Sequence, residues 1–545
     1  MKSLSVYGSA APSRRLLLQG LLAGLSPALT WAASARAVSA PMEVLSAEER
    51  AFHALNRLGF GPSPAEVSAM RRLGPGLWLE QFLQQQMQSA SSLPQDLQAQ
   101  LQALETLSLS QAALLARFRQ ARELGKKSGK DGEKSAPAAA QQEQAMKSAE
   151  QSRRDLIRPL VLEASKQRLL RALASPAQLE EVLVDFWFNH FNVYAGKGPV
   201  GALVGSYERE AIRPFVFGKF RQMLGAVAKH PAMLIYLDNA QSVGSDSAAV
   251  ARAQARRARM GDSAAPRASG LNENYARELM ELHTLGVDGG YTQRDVTELA
   301  RILTGWTVDY RAVLRAGESQ RASLFIFDAA RHDGGSKQWL GRQVQAAGQQ
   351  EGEMALDVLA AHPATARHLA FKFAQAFVSD VPPPALVAHL AERFLQSQGD
   401  LRVLVQSLLD SEQFWSREAF QSKIKSPYRY LISSLRASGV QLDDAPGALA
   451  HLARAGMPLY GAATPDGYKN TSEAWMNPEA LAQRMQWAQR LIRAGRSAGS
   501  GQLSSNDLQV TLGASLSERS RQALASEPAD LRLALLLGSP DFMHF

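Results

Sequence analysis

The chain contains no cysteine. That excludes disulfide staples, thiolate zinc sites, iron–sulfur clusters and a cysteine nucleophile. Any metal site has to be built from histidine and carboxylates, and no spacing in the sequence assigns a metal ligand. Long apolar runs are also missing after about Leu29, and a bilayer span needs roughly 20 such residues. Charge of one sign is scarce. The formal net charge is +9, but residues 1–37 hold Lys2, Arg14, Arg15 and Arg36 and no acid, so the remainder carries +5. An excess this mild, with no basic-aromatic module, leaves no nucleic-acid footprint. There is no Gly-x-Ser-x-Gly elbow, Walker A loop, His-Glu-x-x-His or EF-hand loop. Ser422-x-x-Lys425 meets a Ser–Lys pattern formally, but so short a pattern arises readily by chance.

What is present begins with a targeting segment. Ser13-Arg14-Arg15-Leu16-Leu17-Leu18 precedes an apolar run, and Ala35-Arg36-Ala37 offers a small-x-small cleavage site. The close match to Ser-Arg-Arg-x-Leu-Leu favours twin-arginine export over a Sec signal that happens to hold two arginines. The expected location is periplasmic or secreted, with the export machinery as an obligatory partner.

From residue 46 onward helical periodicity dominates, and the fold class expected is mainly α: one large multi-helix domain over 46–545 with one small β-hairpin. Ser46 and Glu49 form a capping box, and Phe52, Leu55 and Leu58 follow at helical spacing. Residues 125–152 are charged and low in complexity, and 244–268 are rich in Ala, Arg, Ser and Gly; both are expected to be flexible insertions. Residues 324–327 and 338–340 are the strand candidates.

Residues 269–309 concentrate polar groups within strong helical patterning. A helix is expected over about 272–285, with Tyr275, Leu279, Leu282 and Leu285 on its apolar face. Glu278 falls on that face, and a carboxylate there must be paired, hydrogen-bonded or neutralised. Asn274 lies one turn earlier. Arg277 stands four residues before Glu281, which suits a surface ion pair. His283 lies roughly 200° from Glu281 around the helix, so the two cannot chelate one metal. Gly286 fits a helix C-cap, and Thr292 with Asp295 caps a second helix.

Three further places hold candidate chemistry. Asn189 and His190 sit among aromatics in Phe186-Trp187-Phe188-Asn189-His190-Phe191. His332, Asp333 and Lys337 converge in a glycine turn with no apolar period to explain them. Residues 456–476, rich in aromatics and proline, have the composition of a binding loop. His53 and Arg57 share a helix face, as core contacts or site contributors.

These stretches together resemble a bacterial family of unknown function, numbered 1800. The resemblance rests on Arg57-Leu58-Gly59-Phe60-Gly61, Trp187-Phe188-Asn189-His190-Phe191, Asn272 through Leu282, Leu303-Thr304-Gly305-Trp306, His332-Asp333 with Lys337, Lys425-Ser426-Pro427, and Pro465-x-Gly467 with Trp475. It implies an exported, mostly helical protein and an exported sulfatase-like partner from the family numbered 1501. It assigns no activity and no cofactor. His283 stands where the family pattern carries Phe, which counts against a metal or catalytic role there.

The function expected is an enzyme, hydrolase or lyase, acting by general acid–base chemistry on an envelope or extracellular polymer. Glu278, His190, His332 and Asp333 are the expected catalytic groups, and Asn274, Arg277, Lys337, Asn189 and Trp306 the expected substrate contacts. The alternatives are a non-catalytic partner of the sulfatase-like protein and a metalloprotein using His and carboxylates.

Overall fold

In the computed structural model, residues 44–88, 92–130, 139–260, 270–314, 323–497 and 504–545 are described. The twin-arginine segment 1–37 lies outside them, as do 131–138 and 261–269 within the two expected insertions. Local signals read from sequence form as expected at several helix starts. Ser46 and Glu49 exchange both capping-box hydrogen bonds at the head of Ala47–Arg57, and Thr292 and Asp295 do so before Gln293–Ile302. The described residues of 125–152 are helical, in Gln111–Lys130 and Ala139–Ala174. Ala248–Met260, inside the second expected insertion, is helical as well.

The chain is mainly α with two small antiparallel ribbons. The two strand candidates do not pair with each other. Phe325–Phe327 pairs with Trp306–Val308, and Lys337–Trp339 forms its hairpin with Arg342–Val344. The polar turn 332–337 therefore links two ribbons. Gly305, at φ +83, makes the turn out of Gln293–Ile302 into the first ribbon.

One apolar core runs through the described residues. Ala139–Ala174 is its long strut, packed against Gln111–Lys130, Val200–Tyr207 and Pro427–Ser438. Trp187, Phe191, Phe220 and Phe373 form an aromatic cluster in the core, with Phe186 and Phe377 at its edge. Phe186 and Phe373 meet edge to face at 5.6 Å, an arrangement worth about 0.5–1.5 kcal/mol beyond area burial. The carboxyl end is docked: Lys423 and Phe545 exchange backbone hydrogen bonds at 3.3 and 2.9 Å. No helix among the described residues is long and apolar enough to cross a membrane.

Candidate active site

Two helices and one loop enclose a cleft of about 460 Å³. Gln178–His190 presents Val182, Asp185, Phe186 and Asn189, spaced i, i+3, i+4, i+7, and Pro363–Phe377 presents His368, Phe371, Lys372 and Gln375 at the same spacing. Each set is one stripe of a helix whose other residues fill the core. The third wall is the 456–476 loop, which contributes Met457, Leu459, Asp466, Tyr468 and Lys469. The loop read from composition as binding surface thus lines a polar-and-aromatic concavity beside the core.

Side-chain amides hold the loop in place. Asn189 donates to the Tyr468 carbonyl at 2.8 Å and accepts from its N–H at 2.8 Å. Asn192 donates to the carbonyls of Ala462 and Thr464 at 3.0 and 2.9 Å. Tyr236 donates to the Ala463 carbonyl at 2.9 Å. Between these anchors Gly467 adopts φ +69, and a Cβ there would sit 2.5 Å from the Asn189 carbonyl oxygen. Only glycine fits.

Lys372 is the anomalous group. Among the described residues its amine has no hydrogen bond or ion pair, and burial pushes its pKa down from 10.5 to about 8. Asp466 is the nearby counter-charge that opposes this, but Asp466 itself pairs with Lys469 at 2.7 Å. Burial disfavours the Asp466 carboxylate, yet hydrogen bonds from Lys469 and Thr464 hold its pKa below the usual range. Across the cleft Arg168 neutralises Asp185 at 2.5 Å. Arg168 also faces Glu208 at 3.4 Å, and Glu208 accepts from Tyr460 at 2.9 Å. Glu208 begins a π-helical turn, Glu208–Ile212, just ahead of the helix break at Pro214.

The histidines beside Lys372 are neutral. Burial, then the Lys372 charge, pushes His368 down to about 4. His190 is driven well below its ordinary value by burial, Lys372, His368 and His283. His190 Nε2 lies 3.1 Å from the His283 carbonyl, so it carries the proton and donates. His283 is fully buried against Phe191, with both ring nitrogens unpartnered. Among the described residues no group of three or more His, Asp or Glu side chains is placed to hold a metal ion.

Glu278 is half-buried and has no hydrogen-bond or ion-pair partner among the described residues. Burial raises its pKa, and so do the neighbouring Glu281 and Asp466. The helix carrying it is shorter than expected, Asn274–Glu281. It ends because the N–H groups of His283 and Leu285 reach back five residues, to Glu278 and Met280 at 3.0 and 2.7 Å. Leu282 and Leu285 therefore do not continue its face. Arg277 does not pair with Glu281; it donates to Gln293 at 2.9 Å and to Glu273 at 3.5 Å. Asn274 is exposed at the helix start.

His332, Asp333 and Lys337 form a different cluster, closed upon itself. His332 Nε2 is 3.0 Å from Glu351, and Lys337 donates to the same carboxylate at 2.6 Å and to the Asp333 carbonyl at 2.5 Å. Asp333 takes two hydrogen bonds from Arg301 at 3.0 Å each. The Lys337 and Glu351 side chains are fully buried, and this cluster does not line the cleft. No hydrogen bond or ion pair joins Glu278, His190 and His332, so their expected convergence does not form. Trp306 is sealed in the core against Phe325 at 5.2 Å. Arg57 and His53 are core contacts: Arg57 donates to the carbonyls of Val378 and Ala419, and His53 packs edge-on to Phe414. Lys425 donates to Ser433 at 2.8 Å while Ser422 bonds the Val378 carbonyl, so the formal Ser–Lys pair is not one.

The sequence reading missed Lys372, His368, Asp466 and Glu351. A signal for the first two existed. His368, Lys372 and Gln375 recur at helical spacing beside the apolar face of their helix, the same kind of anomaly that drew attention to Glu278.

Comparison with known proteins agrees with the signature blocks. The family described as protein of unknown function DUF1800 matches residues 53–544, and the chain belongs to it. No curated protein and no solved structure matches the chain.

Proposed function

We propose that the chain is an exported enzyme acting by general acid–base chemistry on an envelope or extracellular polymer, with the Lys372 cleft as its active site. The supporting observation is Lys372 itself: an unpartnered amine, desolvated to titrate near pH 8, in a cleft ringed by aromatic and amide groups. A group titrating close to the working pH exchanges protons most effectively. Glu278 does not line the cleft; its raised pKa, to which the Asp466 charge contributes, is what suits it to a second proton-transfer role at the cleft's edge. His190 and Asn189 line the cleft, and Asn189 holds the loop. The sulfatase-like partner and twin-arginine export remain parts of this proposal that rest on the signal segment and the family resemblance.

The test is release of soluble fragments from isolated envelope polysaccharide and peptidoglycan, followed by mass spectrometry. Wild type is expected to release fragments, and Lys372→Met to lose roughly 10²–10⁴-fold of that rate. Equal rates for the two proteins would contradict the proposal.

A further inference from the structure

The charge balance of the cleft points to what it holds. Asp185 is neutralised by Arg168 and Asp466 by Lys469. His368 and His190 are neutral. Two cations remain. Lys372 has no partner among the described residues. Arg429 donates through one guanidinium nitrogen to the carbonyls of Asn56 and Gly59 at 2.6 and 2.7 Å, and it has no ion-pair partner among the described residues. Glu208, behind Arg168, pairs also with Arg213 at 3.1 Å, and Asp288 is exposed to water at the rim, where solvent and salt screen it. Lys372 and Arg429 are thus the two cations of the lining without an ion-pair partner among the described residues, and burial lowers the pKa of both.

We infer that the cleft takes a ligand bearing an anionic group (carboxylate, sulfate or phosphate), with Lys372 as its counter-ion and Phe186, Phe371 and Phe377 against its apolar face. This rests on the reading of the cleft as the active site and names the substrate class. An unneutralised ammonium that burial deprives of part of its water is costly, and an anion beside it removes much of that cost. The same interaction raises the Lys372 pKa back toward its ordinary value when the ligand binds. A neutral polyol offers no such gain.

Calorimetry on the full chain tests this with galacturonate, galactose, inorganic sulfate and inorganic phosphate. Galacturonate and galactose share a ring and differ in the carboxylate; sulfate and phosphate separate the other sources of charge. At least one anion is expected to bind, at least about tenfold more tightly than galactose. That anion loses at least about tenfold in Lys372→Met, is retained in Lys372→Arg, and weakens as pH rises through 8 in wild type. Galactose binding as tightly as the anions, anion binding unchanged in Lys372→Met, or no anion binding at all would overturn the inference. Anion binding without polymer turnover sinks the enzyme reading and leaves this inference standing. Turnover of a neutral polymer that depends on Lys372 does the reverse.

Discussion

Asn189 and Tyr468 exchange two hydrogen bonds of 2.8 Å, side-chain amide against backbone peptide, and so fasten the 456–476 loop to the end of the Gln178–His190 helix. Asn189→Ala removes both bonds and leaves the Tyr468 peptide without them. A loss of about 1–3 kcal/mol is expected in urea denaturation. Hydrogen exchange is expected to speed up within 456–471 while the core helices stay protected. Uniform loss of protection would contradict a local clamp.

Gly467 makes the same clamp possible from the loop side. Gly467→Ala places a methyl carbon 2.5 Å from the Asn189 carbonyl oxygen at φ +69, so the loop must move. Destabilisation of at least about 1 kcal/mol is expected, together with loss of whatever the cleft binds. Unchanged stability and unchanged binding would show that the loop is not held as described.

The closed cluster behaves differently from the cleft. Glu351 is disfavoured by burial, but hydrogen bonds from His332 and Lys337 hold its pKa below 4.5. Its contribution to stability is therefore present above about pH 4.5 and lost as pH falls below that. Glu351→Gln leaves Lys337 charged and buried, with only Asp333 at 3.9 Å, itself shared with Arg301, to offset it. A cost of about 3–5 kcal/mol is expected by chemical denaturation. A cost under 1 kcal/mol would mean that the network is not closed in solution.

Glu278→Gln separates a structural carboxylate from a chemical one. The carboxylate has no partner and a raised pKa, so its ionised form is unfavourable in the fold above pH 4.5. The neutral amide is expected to leave the melting temperature at pH 7 unchanged or slightly higher while polymer turnover falls. An unfolded variant would make Glu278 structural.

What could be read in advance divides by range. Caps at Ser46 and Thr292 were legible because each is complete within three residues. The 456–476 loop was legible because aromatics and proline without periodicity have few structural uses. The Glu351 cluster was half legible: His332, Asp333 and Lys337 lie together, but Glu351 sits in a capping position of the next helix, where an acid needs no further explanation. The strands paired with partners other than those expected because each ribbon is only three residues long, too short for alternation to show. The cleft was the least legible feature. Its walls come from residues 182–192, 368–377 and 457–470, and no local pattern links them.

The titration of Lys372 decides whether the cleft holds an amine without a counter-charge. The protein is reductively methylated with ¹³C-formaldehyde, and the Lys372 methyl resonance is assigned by its absence in Lys372→Met and followed with pH. A midpoint near 8 is expected. Lys372→Met is expected to be the more stable protein below pH 8, by on the order of 1–3 kcal/mol, because the partly buried charge is gone. That advantage shrinks between pH 8 and 10.5 and vanishes above. A midpoint at the ordinary lysine value near 10.5, with Lys372→Met no more stable than wild type, would contradict a desolvated, unneutralised amine in the cleft.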